Sequence, residues 1–368
     1  MEVKYVLDRP TAGLRFEERP RHCYSLRCPG VLHDVDGPRC WFPCADRSTD
    51  LFTVDFAVTV RDYEAEDEDE EEDKEAPTME QDEGPAVTEA VARRGRRRPL
   101  TVIVGGARLV RKEKMRHAGA PPAVVWRYAI DTNVTAGAVS LVVGPFAQWV
   151  DPAAPRVTHH YLVPEELPEP DAPLPLPLPL PEGGDVSSSA ASAPALLPPK
   201  AWVKASVAGM GPVLGFVADF FNLTPPHQQQ QHQRHPGAAA PPLPPPSTAG
   251  GAAAAAAATL EHRAVFVKGL PEAGVAFHGL ALHRAEDLHP PTLFDPHMAL
   301  HLALAEGVLA AWLLPRLRPR FQRDQWIYHG VVGYILLLYV RRRYGEHEYR
   351  YRLLRLVDQV VALERCVP

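Results

Sequence analysis

Three stretches of this chain have compositions that cannot build a folded core, and they dictate how the rest must be read. Tyr63–Pro99 opens with YEAEDEDEEEDKE and closes with RRGRRRP. Like charges at this density repel one another and stay solvated. Leu167–Pro199 contains PLPLPLPLP, which favours an extended polyproline II course. Pro225–Thr259 runs through a Gln/His tract, a proline tract and AAAAAAA. The 40 prolines of the chain are too many for one compact domain, and they cluster. Folded-looking sequence resumes after each stretch, so all three read as insertions or linkers.

Four pieces remain. Residues 1–62 hold short β-like runs, of which DLFTVDFAVTV (Asp50–Val60) alternates and is rich in β-branched residues. Residues 100–163 continue in that style with LTVIVGG, VVWRYAI, AVSLVVGPF and VTHHYLV, each bounded by Gly, Pro or Asn. Residues 200–224 carry apolar positions at helical spacing, with Pro212 placed to kink or divide the helix. Residues 260–368 open with a strand, RAVFVKGL, and a looped stretch. Helices are expected over about 296–313, 323–344 and 346–364. Without the insertions roughly 260 residues are left, enough for two domains.

The 368 residues are 46% hydrophobic, and the net charge of −6 hides an uneven distribution. The start, MEVKYVLDRP, has no apolar core of the kind a secretion signal needs. No apolar run reaches the ~18 residues of a membrane helix, and Val331–Val340 reads as a buried helix. No membrane partner is expected. Five cysteines, Cys23, Cys28, Cys40, Cys44 and Cys366, make an odd count that suits a reducing compartment. Cys23-x4-Cys28 and Cys40-x3-Cys44 can be drawn as a zinc knuckle, but neither has the tight spacing that marks one, and structural thiols are the expectation.

One helix poses a chemical question. HMALHLALAEGVLAAW (297–312) places His297 and His301 one turn apart. Zinc peptidases carry two such histidines with a glutamate base next to the first. Here Met298 stands in that place. His297, His301, Glu306 and His329 could meet if two helices pack face to face. The plainer expectation is a solvated His297 at the helix entry, where Asp295 suits an N-cap, and a partly buried His301. No metal and no cofactor is expected.

Several motifs, taken in order, resemble a known family. GPRCWFPCAD (Gly37–Asp46) is similar to an Arg-x-x-Phe-Pro-Cys-x-Asp motif of zinc aminopeptidases of the alanyl-aminopeptidase/leukotriene-hydrolase type. Its Trp before Phe-Pro-Cys looks more like the non-peptidase branch of that family, which serves as a TBP-associated factor in the general transcription factor TFIID. TAGLRF (Thr11–Phe16), WRYAIDTNVTAGAVSLVVGPFAQWVDP (Trp126–Pro152), VTHHYLVP and DQWIYHGVVGYILLLYVRRRYGEHEYRYRL (Asp324–Leu353) resemble that branch in the same order. The last segment includes Trp326, Gly330, Gly333, Tyr334, Tyr344, Gly345, Glu348 and Tyr349. The resemblance covers most of the ordered residues but only part of the family protein's length, so the chain reads as a piece or an incomplete version of a longer one.

The resemblance implies an α+β fold. Its N-terminal β-sandwich-like aminopeptidase domain comprises 1–62 and 100–163. A degenerate thermolysin-like, mostly helical domain comprises 200–224 and 260–368. The interruptions at 63–99, 164–199 and 225–259 stay disordered. The resemblance also places Leu302, Ala303 and Glu306 on the zinc helix motif and His329 on the distal ligand. Ala276 and Phe277 fall on the Glu and Asn of the loop that anchors the substrate's amino group. Leucine cannot ligate a metal, alanine cannot act as a base, and without a carboxylate at 276 nothing fixes a free amine. No catalytic residue is expected. The implied role is a non-catalytic scaffold in the nucleus that supports core-promoter recognition and assembly of the RNA polymerase II preinitiation complex. Its partners would be other TFIID subunits (TBP-associated factors), with promoter DNA and chromatin possible. The alternative is a divergent zinc metallo-aminopeptidase, and a third reading is a stand-alone adaptor.

Other features carry less. Arg93, Arg94, Arg96, Arg97 and Arg98 are candidates for DNA contact or nuclear targeting. Arg316, Arg318, Arg320 and Arg341–Arg343 are further DNA-contact candidates. The acidic run 64–75 could bind basic partners. His159 and His160, adjacent on a strand, point to opposite faces and cannot chelate together. Gly105-Gly106 reads as a turn, and Asn222-Leu223-Thr224 is discounted as a glycosylation acceptor for lack of a secretion signal.

Overall fold

A computed structural model describes residues 6, 12–26, 36–44, 50–62, 98–116, 121–152, 154–164, 200–221, 261–272, 274–290, 292–293, 295–317 and 321–366. Almost all of the three low-complexity stretches lies outside these residues, as do Cys28, Arg93–Arg97, Arg318, Arg320 and Asn222. The described residues form a mixed α and β structure with three sheets and a helical body. In chain order its elements are β1 (Leu14–Glu18), β2 (Arg21–Ser25), α1 (Asp36–Arg39), β3 (Phe52–Arg61), β4 (Thr101–Val104), β5 (Arg108–Met115) and β6 (Ala123–Val134). Then come β7 (Leu141–Gly144), β8 (Phe146–Val150), β9 (Val157–Leu162), α2 (Lys200–Val207) and α3 (Gly211–Phe220). The last part holds β10 (His262–Val267), β11 (Gly274–Phe277), β12 (Leu280–Arg284), α4 (Asp295–Leu313), α5 (Gln325–Tyr344) and α6 (Glu346–Cys366).

The five-stranded sheet, in the order β11-β12-β10-β9-β8, organises the rest. Its three inner strands run parallel and its two edge strands run antiparallel to their neighbours. Parallel strands are stable when both faces are covered and then read as nearly continuous apolar runs. HRAVFV and LALHR meet that requirement and are buried almost throughout. On one face Tyr161, Ala264, Phe266, Ala276 and Ala281 join Leu300, Leu304 and Val308 of α4 in the main core. On the other, Leu162, Val265, Val267, Phe277, Leu280 and Leu282 meet Tyr24, Ile103, Val142 and Phe146. Most of that second group comes from the antiparallel sheet β1-β2-β7-β4. The third sheet, β3-β6-β5, lies to the side and sends Trp126, Tyr128 and Ile130 into the main core.

Polar groups tie the layers together. The Tyr24 hydroxyl donates to the Lys268 carbonyl at 3.1 Å, and the Tyr128 hydroxyl to the Val102 carbonyl at 2.6 Å. Arg263, projecting from β10, donates to the carbonyls of Val104 and Ala107 and so holds the β4–β5 turn. The division expected after residue 163 passes through the central sheet. Strands β8 and β9 from its first side pair in one ladder with β10–β12 from its second.

Helices α2 and α3 divide at Gly209 (φ +91°) and Met210, with Pro212 in the first turn of α3, where a missing N–H costs nothing. Taken together, the 21 residues Lys200–Phe220 are long and apolar enough to cross a membrane by length and composition. This corrects the expectation that no such run exists. Val203, Val207, Val213 and Val217 are nevertheless buried in the core. Helices α4 and α5 run antiparallel: Tyr328 donates to the Ala310 carbonyl near one end, and His301 meets Tyr339 near the other. Gly345 (φ +95°) ends α5 and releases the chain into α6.

Helix α4 rests on β12 through Gly307. A Cβ there would lie 2.9 Å from the Ala281 Cβ and 3.1 Å from the His283 ring. Glycine inside a helix costs about 1 kcal/mol relative to alanine, so the close approach has to repay that. We expect Gly307→Leu to push α4 off the sheet and to destabilise the chain by about 1–3 kcal/mol, the usual scale of overpacking. Thermal unfolding of the purified chain measures it, and an unchanged or raised midpoint would contradict the packing described.

Candidate functional site

The positions singled out by resemblance fall into two neighbouring places, the middle of α4 and strand β11. On α4, Leu302 is buried among the core residues, Ala303 is half-buried, and Glu306 is exposed. Partial desolvation raises the Glu306 pKa. His329, on α5, is exposed and meets the edge of the neighbouring Tyr328 ring at 5.7 Å. Face-to-face packing of α4 and α5 occurs, yet it does not gather the four candidate ligands. Among the described residues no group of three or more His, Cys, Asp or Glu side chains is placed to hold a metal ion.

The two histidines of HMALHLALAEGVLAAW have separate fates. His297 is half-buried and meets His289 edge-on at 5.9 Å. His301 is buried, and its Nε2 lies 2.7 Å from the Tyr339 hydroxyl. The ring stacks on Tyr339 and meets Tyr344 edge-on. Burial, with His297 and Arg343 nearby, pushes the His301 pKa down to about 4. Its Nε2 is thus engaged by a partner on the next helix, a contact that joins α4 to α5. Sequence reasoning anticipated the burial but not Tyr339, which lies 38 residues away.

Strand β11 pairs antiparallel with β12, so that Ala276 stands beside Ala281 and Phe277 beside Leu280. Ala276 faces the main core on the helix side, and Phe277 faces the smaller core on the opposite side. The turn that follows is closed by another turn. Gly279 (φ +62°) sits against Gly106 (φ +60°), where a Cβ on Gly279 would come within 2.7 Å of the Gly106 Cα. The His278 N–H donates to the Ala138 carbonyl at 2.9 Å, and the His278 Nε2 lies 3.0 Å from the Thr132 hydroxyl. Gly105-Gly106, read from the sequence as a simple turn, is one side of this glycine-on-glycine contact. Strand β11, where the resemblance puts the substrate anchor, is apolar and packed on both faces.

The central sheet buries imidazoles that sequence reasoning noticed only in part. His159, His262 and His283 lie on β9, β10 and β12 and project toward the helices. His160 projects toward the other sheet, so the two adjacent histidines do take opposite faces. Both ring nitrogens of His159 and of His283 lack a hydrogen-bond partner. His159 packs on Trp149 and His283 on Phe266, at 5.5 and 5.7 Å. Burial pushes His159 and His262 down to about 3, and His160, His278 and His283 to about 4. Neighbouring imidazoles and Arg263 add to the effect for several of them.

The basic candidates are dispersed. Arg98 is half-buried, with its Nε enclosed and without a hydrogen-bond partner. Arg316 lies over the Trp312 ring at 4.0 Å and donates to that residue's carbonyl. Arg341 pairs with Glu346 and Arg342 with Asp219, while Arg343 lies over the Tyr344 ring. Cys23 and Cys40 are half-buried, and burial raises the Cys23 pKa to about 11, as suits a structural thiol.

Two outcomes follow. The buried histidines are neutral in the folded chain, so the unfolded chain binds more protons below its ordinary histidine pKa. Stability is complete above about pH 6.5 and is lost as pH falls toward 4 and 3. Chemical denaturation at stepped pH should show this decline, and His159→Leu should make it shallower; an equal slope in the variant would contradict it. Tyr339→Phe leaves the buried His301 Nε2 without its partner and should cost about 1–3 kcal/mol. The same denaturation experiment reads that cost.

Neither a protein-family model nor a curated protein sequence matches the chain. Among solved structures, the chain is similar to an M1 zinc metallopeptidase from Deinococcus radiodurans. That match has 13% identity and a TM-score of 0.47, over 93% of this chain and 50% of the peptidase. A Glu-to-Ala mutant of that peptidase matches at 13% identity and TM-score 0.46, over 92% of this chain and 51% of that one. A two-domain M1 zinc metallopeptidase mutant bound to L-arginine matches at 12% and 0.45, over 92% and 50%. The chain spans about half the length of these structures.

Proposed function

We propose that the chain is a non-catalytic scaffold of aminopeptidase-like ancestry, acting in the nucleus as subunit 2 of the general transcription factor TFIID. In this reading residues 1–62 and 100–163 correspond to the family's β-sandwich-like N-terminal domain. Residues 200–224 and 260–368 correspond to a degenerate thermolysin-like domain. The observation that carries the non-catalytic part is the pair of alanines at the working positions. Ala303 stands where a peptidase needs the carboxylate that deprotonates a metal-bound water, and Ala276 where it needs the anchor for the substrate's amine. Around them, Leu302 and Phe277 are packed into cores rather than lining an open cleft. The assembly part rests on the ordered motif resemblance, from TAGLRF and CWFPCAD through VVGPF to the Trp326–Tyr349 helix segment. Its mechanism is binding: the apolar and charged surfaces of the sheets and helices position other TBP-associated factors, with promoter DNA and chromatin as further partners.

The competing reading is a divergent zinc metallo-aminopeptidase using His297, His301 and Glu306. His301 Nε2 is engaged by Tyr339, and His297 meets His289 edge-on. Metal analysis of the purified chain should return well below one zinc per chain, and a fluorogenic aminoacyl amide should not be hydrolysed. Stoichiometric zinc together with hydrolysis would establish the peptidase instead. A tagged chain should recover TBP-associated factors from nuclear extract. Their absence from the eluate would overturn the assembly role and leave a stand-alone adaptor.

A further inference from the structure

The third sheet ends in a strand whose chemistry the proposed function does not use. Strand β5 pairs with β6 on one side, and among the described residues no strand pairs with its other side. Between Arg108 and Arg116 it carries five basic side chains, Arg108, Arg111, Lys112, Lys114 and Arg116, against one acidic, Glu113. Arg127 on β6 stands beside Arg111. Leu109 and Val110 are 44% and 54% exposed at a bulge in the ladder.

Alternation sorts these charges onto both faces. Lys112 pairs with Trp126 and Lys114 with Val124, on the face that turns toward the core; Arg111 pairs with Arg127 on the outer face. Lys112 lies 4.2 Å over the Trp126 ring, and Lys114 reaches the buried Asp62 at 3.4 Å. Arg108 meets Asp131 at 3.4 Å, with both side chains about two-thirds exposed, a pair that water and salt leave weak. Arg111 pairs with Glu113. A strand laid along this edge would meet Lys112 and Lys114 on one face and Arg111 with Arg127 on the other.

We propose that β5 is a docking edge for an extended acidic polypeptide of a partner protein, which adds as a fourth strand to β3-β6-β5. Backbone hydrogen bonds supply the register, as in other strand-addition interfaces. The basic side chains on the two faces select acidic residues at successive positions of the incoming strand, and two exposed apolar residues at the bulge receive a small hydrophobic side chain. The inference is independent of the TFIID reading, since it uses only the sheet and its charges. Basic residues on an edge strand can also serve simply to keep other strands away, and that is the result against which the proposal is set.

The test uses the full chain and a fluorescein-labelled twelve-residue peptide of alternating Glu and Val, read by fluorescence anisotropy. Binding is expected, weakening as salt rises. Arg111→Glu with Lys112→Glu should weaken it about tenfold or more, whereas Arg355→Glu on α6 should leave it unchanged. The same peptide N-methylated at alternate residues keeps its charge but cannot complete a ladder, and should bind about tenfold more weakly. No binding, or binding indifferent to the β5 reversal, would overturn the proposal. Equal affinity for the N-methylated peptide would reduce the surface to simple attraction between charges and also overturn it. Binding seen only after deletion of residues 64–75 would show that the chain's own acidic run takes the strand, and would overturn the partner assignment.

Discussion

Everything in this molecule leans on the double burial of the five-stranded sheet. A parallel strand has no face to give to water, so β9, β10 and β12 can exist only if something covers each side. The helices cover one side and the β1-β2-β7-β4 sheet covers the other. This explains why the chain returns to the same sheet after a long interruption. Strand β10, in residues 262–267, inserts between β9 and β12 and completes a ladder begun at residue 146. It also explains why small residues sit where layers come closest. Ala264, Ala276, Ala281 and Gly307 let α4 settle on the strands, and Gly106 and Gly279 let two turns touch.

The same close packing surrounds the candidate positions on α4 and β11. Catalysis at a metal needs donors that converge and a cleft that a substrate can enter. Here the donor that is best placed, His301, is already satisfied by Tyr339, and the acid that is nearest, Glu306, faces solvent. The proposed scaffold role and the proposed docking edge use different parts of the molecule, the second of them the β3-β6-β5 sheet.

Much of this was legible in the sequence where period and burial coincide. Strand β3 alternates cleanly because one face of its sheet is covered, and DLFTVDFAVTV showed it. The three long helices were legible from apolar density, and Pro212 marked the break between α2 and α3. Strand β5 was missed because RLVRKEKM carries almost no apolar period: it is an edge, exposed nearly throughout, held by pairing with β6 rather than by burial. Strands β11 and β12 read as a loop because each is short and the turn between them is glycine-bearing. The partner of His301, the contact of Gly106 with Gly279 and the sharing of one sheet across residue 163 are long-range facts. No local pattern encodes them.

The enclosed imidazoles have a use that does not depend on any assignment of function. The carbon-bound proton between the two ring nitrogens of histidine exchanges with solvent deuterium only when water reaches the ring. His159 and His283 sit on opposite sides of β10 with no hydrogen-bond partner for their ring nitrogens. They are therefore native clocks for the interior: the rate at which each takes up deuterium reports how often the helices lift from the sheet above it. Side by side, the two rates would tell whether the layer opens as one lid or strand by strand.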